Sequence, residues 1–345
     1  MIKIPVIERK TSKITNKHAV RNNQQHSPEI FCLGELLIDF LPIPPHSELL
    51  KTQQLQMAPG GAPANVAVAL SRLGVQSGFI GKAGDDIFGQ YLQKTLRDEK
   101  VDLTYFSLHK GAPTRLAFIT NDPDEAQRFL FYGEPGADEL LNADDIPHSF
   151  PDQSRFLHFG SISLIHEPSR SATFTAISRA RQENLIISFD PNLRLELWPN
   201  QKKVRKEIIS TLKLCHVLKV NLAEWNFLFP GHSFKKSWSL LEKKGIKLAA
   251  LTLGDDGALL INKQAQVRIK GLKIRNKDTT GAGDAFTAGL LYCLKENTKK
   301  LDRYNQQDLS RIGLFANSAG ALTCTKVGAI PAFPNLRGVT KLVRW

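Results

Sequence analysis

From residue 155 onward, short apolar runs alternate with segments of helical periodicity, and this alternation restricts the fold more than any other feature of the chain. Leu185-Ile186-Ile187-Ser188-Phe189, Val217 to Val220 and Leu248 to Leu253 are near-continuous apolar runs of strand length. Strands apolar on both faces belong to a parallel sheet covered on both sides, and the helical stretches around 201–213 and 234–244 supply the cover. A first strand is expected over Ile30-Phe31-Cys32-Leu33-Gly34, continuing through Leu36-Leu37-Ile38-Asp39-Phe40 until Pro42, Pro44 and Pro45 break it. Val66, Leu70 and Leu73 recur at helical spacing between Pro63 and Leu73, and Gly74 ends that helix. A second helix runs from about Asp86 to Asp98 with Phe88, Leu92 and Leu96 on one face and Asp85 or Asp86 as its cap. After Ile274 a glycine-rich turn leads into a helix from Asp284 to Leu294, with Phe286, Leu290 and Leu294 inward. A last helix, about 308–324, closes the chain. The expected class is α/β with a mostly parallel central sheet.

One stretch has a different texture. Thr114 to Thr120 and Arg128 to Tyr132 are β-rich runs joined by the turn-forming Asn121-Asp122-Pro123-Asp124, a hairpin signature flanked by Gly111 and Gly133. It is too short for a domain and reads as a small β appendage. Residues 1–28 are low in apolar content and without periodicity, so they are expected to form a disordered extension. There Lys3, Arg9, Lys10, Lys13, Lys17 and Arg21 face only Glu8, and they contribute to a net charge of +13 over the 345 residues. The lysines are not interleaved with aromatics and no binding motif accompanies them, so a nucleic-acid partner is not expected. No apolar run approaches the roughly 18–20 residues that span a bilayer, and the start lacks the apolar core of a secretory signal. A cytoplasmic address follows as the expectation. Cys32, Cys215, Cys293 and Cys324 lie far apart, which argues against a zinc site or a disulfide framework.

Ligands of open α/β sheets bind beyond the C-terminal strand ends. Asp39, Asp190, Asn221 and Gly254 all fall at such ends, which points to one crevice. At Gly281-Ala282-Gly283-Asp284 two glycines let the backbone approach a ligand at a helix entrance, where outward N–H groups and the helix dipole favour an anion. Asp284 in the first turn either accepts a proton from an attacking hydroxyl or merely complements the dipole; spacing allows both. The second segment is Pro59-Gly60-Gly61-Ala62-Pro63-Ala64-Asn65. Its paired glycines permit close contact with a small ligand, and Asn65 can both donate and accept; a plain loop remains equally open. No G-x-x-x-x-G-K-[ST] is present, Phe286 stands where a dinucleotide fold needs its third glycine, and the protein-kinase motifs are missing.

Together these segments resemble the PfkB (ribokinase-like) carbohydrate kinases, most closely the fructokinases, from Ile30 to about Pro334. Gly34-Glu35-Leu36-Leu37-Ile38-Asp39-Phe40 looks like their opening, and Ala58 to Ala67 matches the first family signature. Asp278 to Phe286 matches the second, D-T-T-G-A-G-D-A-F, unchanged; Ser161-Ile162-Ser163-Leu164 and Asp190-Pro191-Asn192-Leu193-Arg194 are similar to fructokinase segments. The resemblance implies a three-layer α/β/α kinase domain over 29–338 with a small β-sheet lid built from about 40–58 and 110–133. It implies that MgATP phosphorylates a small sugar, with fructose as the first candidate. Asp284 would be the base, and Gly281, Ala282 and Gly283 the anion hole. Asp39, Gly60, Gly61 and Asn65 would hold the sugar, with Asp190, Asn192 and Arg194 nearby. Asn221 and Glu224 would organise Mg²⁺ through water, and Thr252, Gly254, Gly257 and Asn317 would border ATP. Asp278 and Thr280 would be contacts for K⁺, and the lid a homodimer interface. Where fructokinases carry F-Y-R-x-P-S-A-D, this chain has Phe131-Tyr132-Gly133-Glu134-Pro135-Gly136-Ala137-Asp138, which sets ribose, 2-keto-3-deoxygluconate or another sugar beside fructose. A catalytically silent fructokinase-like scaffold is the alternative from a different class.

Overall fold

The computed structural model describes residues 27–43, 47, 49–120, 128–297 and 300–343. The basic stretch 1–26, Pro44, Pro45 and the turn 121–124 lie outside the described residues.

In chain order the strands are β1 (Ile30–Leu33), β2 (Leu37–Ile43), β3 (Gln54–Gly60), β4 (Ser77–Gly84), β5 (Phe106–His109), β6 (Leu116–Thr120), β7 (Arg128–Tyr132), β8 (Phe156–Phe159), β9 (Ile186–Phe189), β10 (Val217–Asn221), β11 (Leu248–Thr252), β12 (Ala258–Asn262) and β13 (Gln266–Ile269). The helices are α1 (Ala62–Arg72), α2 (Ile87–Asp98), α3 (Ser169–Gln182), α4 (Gln201–Thr211), α5 (Leu222–Leu228), α6 (Trp238–Glu242), α7 (Ala282–Glu296), α8 (Gln306–Thr323) and α9 (Leu336–Val343). Nine strands form one sheet in the order β13-β12-β11-β10-β9-β8-β1-β4-β5, parallel except at β11-β12 and β12-β13. Four form a smaller sheet, β3-β2-β6-β7.

The continuous apolar runs have the expected cause. Along β1, Ile30 and Cys32 pack into one core and Phe31 and Leu33 into another, because successive side chains leave opposite faces of a sheet buried on both. The first core takes α1, α2, α7, α8 and α9, through residues such as Leu70, Leu96, Leu290, Phe315 and Val339. The second takes α3, α4, α5 and α6, through Ile177, Ile208, Trp225 and Leu241. Asp86 is the cap of α2, its side chain accepting the Gly89 N–H. Gly74 ends α1 with φ +87. The four cysteines are free, three of them buried. Among the described residues no helix is long and apolar enough to cross a membrane.

Three expectations need correction. The run from Ile30 to Phe40 is not one strand. It breaks at Gly34, where φ is +151 and a side chain would strike Pro63, so β1 stays in the large sheet and β2 departs to the small one. Pro42 does not break β2, because β6 pairs only with Ile38 to Phe40 and leaves Pro42 on an edge that needs no donor. Finally, the helix at 306–323 does not close the chain, since α9 follows it.

Candidate active site

The C-terminal ends of β9, β10 and β11 open into a cleft of about 620 Å³ whose far wall is the smaller sheet, through Ile119, Phe129 and Phe131. At its floor α7 begins. Gly281, at φ +77, is the N-cap, a conformation that glycine adopts without strain. A Cβ there would press on Ala329 and Phe333, so the turn rests directly on the segment after α8. The Ala282 N–H donates to Thr279 O at 3.1 Å and that of Ala285 to Gly281 O at 2.9 Å. Between them, the N–H groups of Gly283 and Asp284 have no acceptor among the described residues, which leaves an electropositive pair at a helix start.

Asp284, 7% exposed, lines the same floor. Its Oδ2 accepts from Asn65 Nδ2 at 2.9 Å, a contact between segments 219 residues apart. Burial pushes its pKa up to about 7; Asn65, Lys219 and Arg194 pull it down, while the charge of Asp190 adds to the rise. The carboxyl does not cap α7: its hydrogen-bond partner is Asn65, and the helix start has no side-chain cap bond.

Asp190, directly after β9, does not line the cleft. It stands behind Asp284, its Oδ2 2.8 Å from Lys219 Nζ and accepting from Thr287 at 3.2 Å. Lys219 was not foreseen as a site residue. It reaches the cleft from β10, and its Nζ would be 3.1 Å from a Cβ on Gly283. Burial opposes its charge, but Asp190, Glu224 and Asp284 raise its pKa on balance. The signal was present: a lysine inside the apolar run Val217-Leu218-Lys219-Val220 needs a buried partner. Glu224 and Asn221 form a capping box at α5, and Glu224 Oε1 also accepts the Leu193 N–H at 2.8 Å. Glu224 thereby ties the start of α5 to the loop that carries Asn192 and Arg194. Its own pKa is raised by burial and by Asp190, against Lys219 and the backbone donors. Asp278 is also set back from the cleft, with Oδ1 accepting from Thr280 N at 2.9 Å and Thr280 Oγ1 at 2.7 Å, and Oδ2 from Gly328 N at 2.7 Å.

On the opposite side, β2 carries Asp39, half-buried, its pKa pushed up to about 7 by burial against the pull of Arg194. Gly60 lies beneath it and does not line the cleft; any Cβ there would overlap Asp39 Oδ2. Gly61, at φ +104, caps α1 so close to the Glu35 backbone that a Cβ would overlap Glu35 O. Glu35 lines this wall too, and no role had been assigned to it. Arg194 bonds Asn192 Oδ1 at 2.6 Å and lies 4.3 Å from the centre of the Phe129 ring, linking the loop after β9 to the small sheet. At the far end Thr252, Gly254, Gly257 and Asn317 border the cleft. Gly257, at φ +90, is crowded by Ile269 O, and Asn317 donates to Lys270 O at 3.1 Å.

The departure at Gly133 has a local counterpart. Leu116 pairs with Tyr132, so Arg115 falls opposite Gly133. Its buried guanidinium meets Asp138 at 3.1 Å and Glu139 at 2.6 Å. An arginine thus stands at this corner of the small sheet, supplied by the residue that precedes β6.

Comparison with known proteins bears on this arrangement. The family model described as pfkB family carbohydrate kinase matches residues 27–336. A probable fructokinase-7 of Arabidopsis thaliana is 41% identical over 317 residues, 91% of this chain and 92% of that protein. A double mutant of the fructokinase from Vibrio cholerae O395, bound to fructose, ADP and potassium ion, superimposes with a TM-score of 0.81 at 35% identity, over 91% of this chain and 97% of that one. Aminoimidazole riboside kinase from Salmonella enterica, complexed with aminoimidazole riboside and an ATP analog, gives a TM-score of 0.78 at 29% identity, over 91% and 99%.

Proposed function

The chain belongs to the pfkB family of carbohydrate kinases, and from that premise we propose that it transfers the γ-phosphoryl group of ATP to fructose, giving fructose 6-phosphate. The observation that carries this is the Asn65–Asp284 hydrogen bond at 2.9 Å. It brings a carboxyl whose pKa is pushed up to about 7, next to two free N–H groups, into contact with the segment that in this reading holds the sugar.

In this scheme Asp284 accepts the proton of the attacking sugar hydroxyl as that oxygen bonds to phosphorus in line with the departing ADP. The free N–H groups of the Gly281–Asp284 turn and the Lys219 ammonium oppose the charge on the phosphoryl oxygens. Asn65 fixes the carboxyl of Asp284, and Asp39 and Arg194 hold sugar hydroxyls at the small sheet. Thr252, Gly254, Gly257 and Asn317 border the nucleotide. Mg²⁺, when bound, neutralises phosphate charge. Asn221 lines the cleft and Glu224 sits buried behind it, each Glu224 oxygen accepting one backbone N–H and keeping a lone pair, a donor set compatible with a water-mediated role. For K⁺, Asp278 Oδ2 keeps a lone pair beside its Gly328 bond, while Oδ1 is committed to Thr280.

The small sheet would serve as a lid, and its exposed Leu55, Met57, Leu130 and Tyr132 as a homodimer face; sedimentation of the purified protein tests the latter. The proposed cytoplasmic address is tested by a fluorescent fusion. The decisive experiment measures ADP release from MgATP with fructose, ribose, glucose and 2-keto-3-deoxygluconate. Strong release with fructose and little with the others is expected. Preference for another sugar moves the substrate, and no release with any sugar returns the protein to the scaffold reading.

A further inference from the structure

One acidic side chain on the sugar side of the cleft has an oxygen without a partner. Glu35 lies between β1 and β2, is 4% exposed and lines the cleft. Its Oε1 accepts the N–H of Ala62, the first residue of α1, at 2.9 Å. Its Oε2 is sealed from solvent and has no hydrogen-bond partner. Asn65 Oδ1, on the next turn of α1, is in the same condition while its Nδ2 is committed to Asp284.

A buried acceptor without a donor carries its full desolvation cost, and native structures keep few of them. Both belong to residues that line one cleft, so one wall of it holds two acceptors that lack donors. Neither neighbouring cation donates to them: Arg194 Nη1 bonds Asn192 and Leu193 O, and Lys219 pairs with Asp190. A ligand dense in hydroxyl groups supplies what is missing.

We propose that Glu35 is a specificity-determining residue, its Oε2 accepting a hydroxyl of the bound sugar while its Oε1 holds the start of α1. One carboxylate then does two things at once: it anchors the helix that presents Asn65, and it reads the ligand that Asn65 and Asp284 act on. The close approach of Gly61 to the Glu35 backbone holds the two segments in this relation. The inference rests on the sugar-kinase reading above and adds a residue to it.

Glu35→Gln tests it, because glutamine keeps an oxygen for the Ala62 N–H and puts a donor where Oε2 stands. With fructose as the varied substrate, kcat/KM is expected to fall at least ~100-fold, the scale on which a mismatched buried polar group rejects a ligand. The KM for ATP and the melting midpoint stay near wild type, which a merely structural role would not allow. On a set of monodeoxyfructoses, the wild type loses a comparable factor with one analogue, and on that analogue the variant costs little more. Fructose parameters within about threefold of wild type, or a loss shared equally by ATP KM and stability, overturn the proposal. So does a wild-type enzyme that uses every monodeoxy analogue within about threefold of fructose, a result that does not depend on the variant folding. A wild type inactive on fructose is a different outcome and brings down the substrate reading itself.

Discussion

Replacing Asp284 by asparagine keeps the side chain's size and its contact with Asn65 but removes its charge. Two effects of opposite sign follow from one burial. Turnover is expected to fall by at least roughly 10²–10⁴ as the proton acceptor is lost. Stability is expected to rise. Holding a carboxyl that ordinarily titrates at 3.8 up to about 7 means that its ionised form costs the fold up to about 4 kcal/mol at alkaline pH. The sign runs with the raised pKa. Below the unfolded value both states are protonated and the aspartate costs nothing; the cost grows as pH climbs toward 7 and is complete above it. The advantage of asparagine should therefore widen by about 2.5 kcal/mol between roughly pH 5 and pH 8. Urea titrations of both proteins at the two pH values measure it, with ADP release recorded on the same samples. Near-wild-type turnover refutes the base. An advantage that does not change with pH refutes the claim that buried charge is what strains this floor.

Three further outcomes test other parts. The kcat of the wild type should rise with pH through about 7 as Asp284 ionises, and Lys219→Met, which removes a cation that lowers that pKa, should move the limb alkaline in a pH-rate profile. Gly60→Ala should displace the Asp39 carboxylate, since the new Cβ overlaps Oδ2; sugar KM should rise about tenfold or more, an interaction loss of roughly 1.4 kcal/mol, with ATP KM unchanged in steady-state kinetics. Arg115→Leu should cost about 3–5 kcal/mol in a urea titration, because it leaves the buried Asp138 and the neighbouring Glu139 without their cation.

Much of the site was legible because its chemistry is local. Gly281-Ala282-Gly283-Asp284 announces a helix start open to anions in four consecutive residues, and Gly60-Gly61 with Asn65 announces a close approach before a helix. That Asn65 and Asp284 touch follows only from the packing of α1 on α7, 219 residues apart along the chain. Lys219 and Glu35 escaped for the opposite reason. Each sits inside an apolar run whose periodicity is read from its neighbours, and a charge there announces a partner without saying which. The fold failed to show where one apolar run serves two sheets: Ile30 to Phe40 has strand composition throughout, and only the contact of Gly34 with Pro63 separates β1 from β2. The antiparallel pair β12 and β13 was not foreseen, because its alternation is short and interrupted by Asn262-Lys263-Gln264.

The turn that would receive the phosphate leans on residues that come after α8 in the chain. Gly281 abuts Ala329 and Phe333, Asp278 accepts the Gly328 N–H, and Arg72 at the end of α1 donates to Phe333 O at 2.9 Å. The segment from Asp278 to Asp284 and the end of α1 are thus held in common by one later stretch, around 328–333, so a chain that stopped after α7 would keep both motifs without the support they share.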